Sequence, residues 1–330
     1  MATLKGVLFT SHSGYTTLPP ELWAARRSSR SYQEGVPVES QEEMDAKWER
    51  TQDAIRALRQ KLEEWSPDVL VVIGDDQEEC FDFSNHPSLA VYVGEEFSGF
   101  PPGVRRSTAP VSDSGVPPEF VSVPGAPRLA RALVNGLLQR DFDPAFMMSL
   151  PKPELGMSHA VMKVVGFFTD YDIPTVPILI NAFYAPQLSG RRVRRLGQAL
   201  RSIFEEYPQD TTVAVVASGG LWHTPGRPGS WLNEDFDRAG LKHLRSGDMA
   251  GWAAMFDAYL PGDDPSQDVS TPGPGTSGLE SLGGPQYGTR ESLCWIAGGS
   301  VVEGRPATIV DYVPIYASPI GHGFAFCEAR

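Results

Sequence analysis

Cysteine is scarce in this chain of 330 residues, with only Cys80, Cys294 and Cys327. An odd, scattered trio builds neither a disulfide framework nor a Cys-x-x-Cys metal pair, and it fits a reducing compartment. Long apolar runs are missing too. None approaches the ~20 residues that span a bilayer, and the opening MATLKGVLFTSHSG has no extended apolar stretch of a secretory leader. The expectation is a cytoplasmic protein with no membrane partner. Basic charge is in deficit: 28 Lys and Arg face 41 Asp and Glu, a formal net charge of −13. That balance argues against nucleic acid, which needs a basic footprint, and the scattered acidity serves solubility. A Gly-x-Ser-x-Gly nucleophile elbow and a Walker phosphate loop are also absent.

What is present suffices for a sizeable core: 41% of residues are hydrophobic and 21% charged, as in ordinary globular proteins. Residues 4–10 are apolar and lead into a Ser-His-Ser-Gly loop. Ser40 and Glu43 form a capping box ahead of Met44, Trp48, Ile55, Leu58 and Leu62, which recur at helical spacing. The runs 69–73 (VLVVI), 175–181 (TVPILIN) and 211–218 (TTVAVVAS) are continuously apolar and β-branched, the pattern of strands buried on both faces. Residues 126–139 read as a helix and 145–150 as a short strand. Ser189 caps a further helix through Val193, Leu196, Leu200, Ile203 and Phe204. A helix from about 289 to 297 precedes strands at 308–313 and 324–327. Strands alternating with helices predict one α/β domain over residues 1–330, with a largely parallel central sheet flanked by helices. Pro- and Gly-rich stretches at about 97–125 and 261–288 read as long loop excursions within it.

In such folds ligands bind beyond the carboxyl ends of the strands. His12, the run Asp75-Asp76-Gln77-Glu78-Glu79, Asn181 and His223 each follow an apolar run, so parallel pairing would gather them at one cleft. The acidic run reads equally as a solvated turn or as a metal or proton-transfer site, since mixed His and carboxylate sets suit non-haem Fe(II). His159 opens a helix, where it either binds an anion or caps. His223 follows paired glycines that allow close backbone approach to a ligand. Glu291, taken alone, reads as a carboxylate stabilising a helix N-terminus. His86, His243 and His322 have no comparable setting. Phe183, Tyr184 and Trp222 could wall an aromatic pocket, although such residues are more often core.

The order of these landmarks resembles the class III extradiol ring-cleavage dioxygenases over nearly the whole chain. Ser11-His12 is similar to the family's Ser-His after the first strand, and residues 68–77 (DVLVVIGDDQ) to its strand ending in Asn-Asp-His. Residues 189–192 (SGRR), 219–223 (GGLWH) and 232–237 (LNEDFD) resemble its longest block, and 291–295 (ESLCW) its late carboxylate-bearing helix. The resemblance implies that His12 and Glu291 are metal ligands, that His223 is an acid/base beside them, and that His159 is a further histidine near the substrate. It implies the third ligand at Gln77, where the family carries histidine. A glutamine ligates weakly, so Asp76, Glu78 or Glu79 are alternatives, or no metal binds.

The implied activity is Fe(II)-dependent extradiol cleavage of a catechol-like or other ortho-hydroxylated aromatic by O₂, with Mn(II) as the alternative metal. The implied assembly is a homo-oligomer or a complex with a partner subunit. The competing expectation is a metal-free, non-catalytic subunit or binding protein that uses the same cleft.

Overall fold

The computed structural model describes residues 1–104, 120–182, 184, 187–224, 230–259 and 288–329. Its centre is four parallel strands in the order β7 (Thr175–Ile180), β2 (Val69–Gly74), β8 (Thr212–Ser218) and β1 (Thr3–Thr10). Three of them, β2, β7 and β8, are the runs whose continuous apolarity predicts burial on both faces; every residue of β2 and β7 is buried. Antiparallel strands extend the sheet past β1, first β10 (Ile320–Glu328) and then β9 (Thr308–Ile315). On the other side β3 (Leu89–Tyr92) pairs antiparallel with β7, and β6 (Ala145–Met147) pairs parallel with β3. The sheet is thus parallel where it is deepest and mixed at its margins.

Helix α2 (Gln41–Trp65) begins at the expected capping box: Ser40 Oγ accepts from Glu43 N–H and the Glu43 carboxylate accepts from Ser40 N–H. Its Leu58 and Leu62 pack with Val161, Val164 and Val165 of α4 (His159–Phe168) over one face of the sheet. Each fully buried leucine contributes about 1.5–3 kcal/mol relative to exposure. The opposite face carries α3 (Pro127–Leu138), α5 (Gly190–Glu206), α7 (Met249–Ala258) and α8 (Ser292–Val301). Helix α5 starts at Ser189, whose Oγ accepts from Arg192 N–H. It lies so close to α8 that a Cβ on Gly197 would sit 2.1 Å from the Ala297 carbonyl oxygen.

Several boundaries depart from the sequence reading. The excursion at 97–125 begins and ends in paired strands, β4 (Glu96–Gly99) and β5 (Val121–Pro124), which bury Phe97 and Val123. Its middle, and all of 261–288 except Gly288, lie outside the described residues. Three helices are not assigned in the sequence reading: α1 (Trp23–Ser28), α6 (Glu234–Ser246) and α7. Asn233 caps α6 and Asp248 caps α7 through side-chain oxygens. Among the described residues no helix is long and apolar enough to cross a membrane.

Candidate metal centre and cleft

The register of the parallel strands builds the centre. β8 pairs Ser218 with Thr10 of β1 on one side and Ala217 with Ile73 of β2 on the other. His12 and Asp75, each two residues beyond those partners, therefore flank the end of β8. Glu291 arrives from the turn that precedes α8, where its side chain makes no cap to its own helix. It accepts instead from the Gly220 N–H just beyond β8. Only glycine fits that approach, because a Cβ on Gly219 would lie 2.8 Å from the Glu291 carbonyl oxygen.

These three side chains are buried to within about one per cent of full enclosure. His12 Nε2 lies 3.3 Å from Asp75 Oδ1 and 3.7 Å from Glu291 Oε2. Donor atoms of the three all fall within 4.8 Å of one another, a grouping that could hold a metal ion. The His12 tautomer follows from its neighbour. Ser218 donates its only hydroxyl proton to the Ala160 carbonyl at 2.7 Å, so at 2.9 Å it must accept from His12 Nδ1–H. Nε2 then carries the lone pair, and neither it nor Asp75 Oδ1 has a hydrogen-bond partner. Two buried polar atoms left unsatisfied at one point are costly unless a cation lies between them. The donor set thus fits a divalent metal.

Without that cation the carboxylates resist ionisation. Burial, and then the charge of Asp75, push Glu291 up to about 8, and burial raises Asp75 as well. Burial pulls the His12 imidazole well below its ordinary value, which keeps it neutral as a ligand must be.

The acidic run divides its labour. Gln77 Nε2 donates to Asp75 Oδ2 at 3.0 Å and to Glu291 Oε1 at 3.4 Å, while its backbone N–H donates to Glu79. Asp76 accepts from the N–H groups of Cys80 and Phe81, closing the loop. Glu78 sits in the left-handed region at φ 71°. Glu79 accepts from His159 Nδ1 at 2.7 Å. Burial opposes charge on His159, but the field and hydrogen bond of Glu79 outweigh it and hold the imidazole above its usual pKa. The His159 ring stands edge-on to His12 with centroids 4.9 Å apart. His223 Nδ1 lies 3.3 Å from Glu291 Oε1 on the other side. Its loop is stitched to the start of β10 by Leu221 N–H to Gly321 O and Thr224 N–H to Pro319 O, and Asp237 accepts from Trp222 N–H.

His12, Gln77, His159, His223 and Glu291 are thus brought together. Asn181 is not; its amide closes its own turn against Tyr184. Trp222 is fully buried behind His223, packed with Trp231, Phe236 and Tyr259, and does not line the cleft. Tyr184 packs against Phe83 and His86, and Phe183 lies outside the described residues. His322 is structural: it is fully buried, 2.6 Å from Ser13 Oγ, and burial lowers it to about 3.

A cleft of about 1080 Å³ opens from His159, Glu79 and Lys163 towards Arg26, Arg30 and Phe100. Lys163 escapes the sequence reading, although a lone lysine within the apolar α4 signals it. Its Nζ donates to the carbonyls of His12 and Ser13 at 2.8 and 2.7 Å. Burial lowers its pKa to about 7. Arg26 and Arg30, on and just beyond the short α1, leave no pattern that would mark them.

Comparisons with known proteins bear on the family and the fold. A family model described as the catalytic LigB subunit of aromatic ring-opening dioxygenase matches residues 35–265. Gallate dioxygenase of Pseudomonas putida is 31% identical over 111 residues, 34% of this chain and 32% of the relative. The 2,3-dihydroxyphenylpropionate/2,3-dihydroxicinnamic acid 1,2-dioxygenase of Paraburkholderia phymatum is 27% identical over 186 residues, 56% of this chain and 51% of the relative. The chain thus matches about a third to a half of the length of these relatives. The crystal structure of an uncharacterized protein from Escherichia coli K12 superposes with a TM-score of 0.50 at 14% identity, covering 97% of this chain and 99% of that one. That likeness concerns the fold alone.

Proposed function

The chain belongs to the family of the catalytic LigB subunit of aromatic ring-opening dioxygenases, and from that premise we propose that it is an Fe(II)-dependent extradiol-type dioxygenase. Its substrate is a catechol-like or other ortho-hydroxylated aromatic. O₂ breaks one ring carbon–carbon bond, and both of its atoms enter the product. The observation that carries this reading is the pair of buried, unpartnered donor atoms, His12 Nε2 and Asp75 Oδ1, beside Glu291 and behind the His159 and Glu79 that line the cleft.

His12 and Glu291 hold the metal, and the segment 75–77 supplies the third donor. When bound, the metal supplies Lewis acidity and a template for the ring oxygens and O₂. The chain's own groups handle protons and charge. His223, 3.3 Å from Glu291, takes the phenolic proton as general base and returns it as acid. His159, whose charged form Glu79 favours, turns its Nε2 towards the bound anion as a hydrogen-bond donor. Burial of the ligands excludes bulk water from the reacting atoms. The cleft has ample room for a substituted ring, and Arg26 and Arg30 along it favour a ring bearing a carboxylate. Gallate and 2,3-dihydroxyphenylpropionate, named for two relatives, are both carboxylates.

The alternative, a metal-free subunit or binding protein with the same cleft, draws on Gln77 in place of an imidazole ligand. Purification without oxygen, reconstitution with Fe(II) or Mn(II) and metal analysis separate the two. About one equivalent of metal, with one O₂ consumed per catechol lost, is expected; less than about a tenth of an equivalent overturns the enzyme reading.

A further inference from the structure

We infer that Asp75 is the third metal ligand and that Gln77 is the clamp that aims it, so the centre is one imidazole and two carboxylates. The inference rests on the metal-dependent reading above and concerns which atoms of the 75–77 segment meet the ion.

The hydrogen bonds sort the candidates. Asp76 spends both carboxylate oxygens on the N–H groups of Cys80 and Phe81. Glu79 spends its two on His159 and on the Gln77 N–H. Gln77 turns its amide nitrogen inward, to Asp75 Oδ2 and Glu291 Oε1. Once a bound cation ionises them, Asp75 and Glu291 only accept hydrogen bonds, so turning the amide over would set its oxygen against two carboxylate oxygens. The group with ligand capacity therefore faces away, and an amide N–H₂ does not ligate.

Glu78 is part-exposed and does not join the donor atoms gathered around His12 and Glu291, so Asp75 is left, and its geometry is that of a ligand. One oxygen is fixed by Gln77, while the other, Oδ1, has no partner and lies 3.3 Å from His12 Nε2. Neighbouring ligand atoms about 2.1 Å from a shared ion stand roughly 3 Å apart at right angles. Glu291 is held in a related way: Oε1 meets Gln77, while Oε2, which also accepts from the Gly220 N–H, lies 3.7 Å from His12 Nε2 and keeps a second lone pair for an ion. One amide thus spaces two carboxylates so that each offers a single oxygen to one point. Exchanging an imidazole nitrogen for a carboxylate oxygen makes the centre harder and more anionic, which favours oxygen-preferring Mn(II).

The test uses the full chain, stripped of metal by chelation and titrated anaerobically with Mn(II), read by calorimetry and by the electron paramagnetic resonance of the bound ion. Wild type should bind one equivalent, Asp75→Asn should lose at least about 100-fold in affinity, and Gln77→Ala should lose no more than about tenfold with the same signal shape. Loss of the ion in Gln77→Ala alongside retention in Asp75→Asn overturns the assignment while leaving the dioxygenase reading intact. Wild type that takes up neither Mn(II) nor Fe(II) overturns both. If Asp75→Asn fails to fold, Gln77→Ala decides alone: an unchanged signal supports the assignment and an altered one refutes it.

Discussion

At the inner end, behind His159 and Glu79 of the cleft wall, His12, Asp75 and Glu291 come from three different elements, are almost fully enclosed, and are each held by a named partner: Ser218, Gln77 and the Gly220 N–H. At the outer end, Arg26 and Arg30 stand half-buried on and beyond a six-residue helix, and Arg30 donates to Ser318 Oγ. The inner groups are short side chains that retain little freedom, so an ion or reacting atom finds them already arranged. The outer groups are long and water-exposed, so they adapt to a substituent at an entropic cost. Chemistry should therefore belong to the inner end and selection of the substrate to the outer end.

The largest effect expected of that division comes from His223, which touches the inner end without being placed as a ligand. His223→Ala should retain the metal and lose about 10²–10⁴ in kcat, the range of a removed general acid/base. Metal content and oxygen uptake measured on one preparation decide it. Full turnover would remove His223 from proton transfer and weaken the contrast between the two ends.

Ser218 tests whether the inner end is truly prearranged. Its hydroxyl fixes His12 in the tautomer that presents Nε2, and such supporting partners typically govern metal affinity by about 10–100-fold. Ser218→Ala should weaken metal binding by that factor, read by calorimetry, with His12 itself untouched. An unchanged affinity would mean that burial alone sets the imidazole.

How much of this was legible beforehand follows from which signals are local. The parallel strands announce themselves because burial on both faces demands unbroken apolar runs, and the α2 cap because Ser40 and Glu43 lie three residues apart. His12, Gln77, His159, His223 and Glu291 were marked by standing just after such runs or at helix starts. Which member of 75–79 faces inward was not legible, because Asp75 and Asp76 are adjacent and chemically identical. Only the loop closure by Cys80 and Phe81 N–H groups separates their roles. Trp222 takes the commoner of its two readings, core, because it is fully buried against Trp231, Phe236 and Tyr259. The cationic outer end stayed invisible because Arg26 and Arg30 meet Lys163 only through the tertiary fold.

The smallest effect concerns that outer end. If Arg26 and Arg30 read a carboxylate on the ring, Arg26→Ala and Arg30→Ala should each raise KM for a carboxylate-bearing catechol about tenfold, equivalent to about 1.4 kcal/mol. kcat should stay unchanged, because neither residue reaches the reacting atoms. Unsubstituted catechol supplies the control, since its KM should be the same in wild type and both variants. Half-exposed charges are also screened over about 10 Å at 0.1 M salt, so added salt should raise KM for the carboxylated substrate in wild type and much less in the variants. Equal losses on both substrates would show that the arginines shape the cleft wall and do not recognise charge, and selection would then have to lie at the inner end after all.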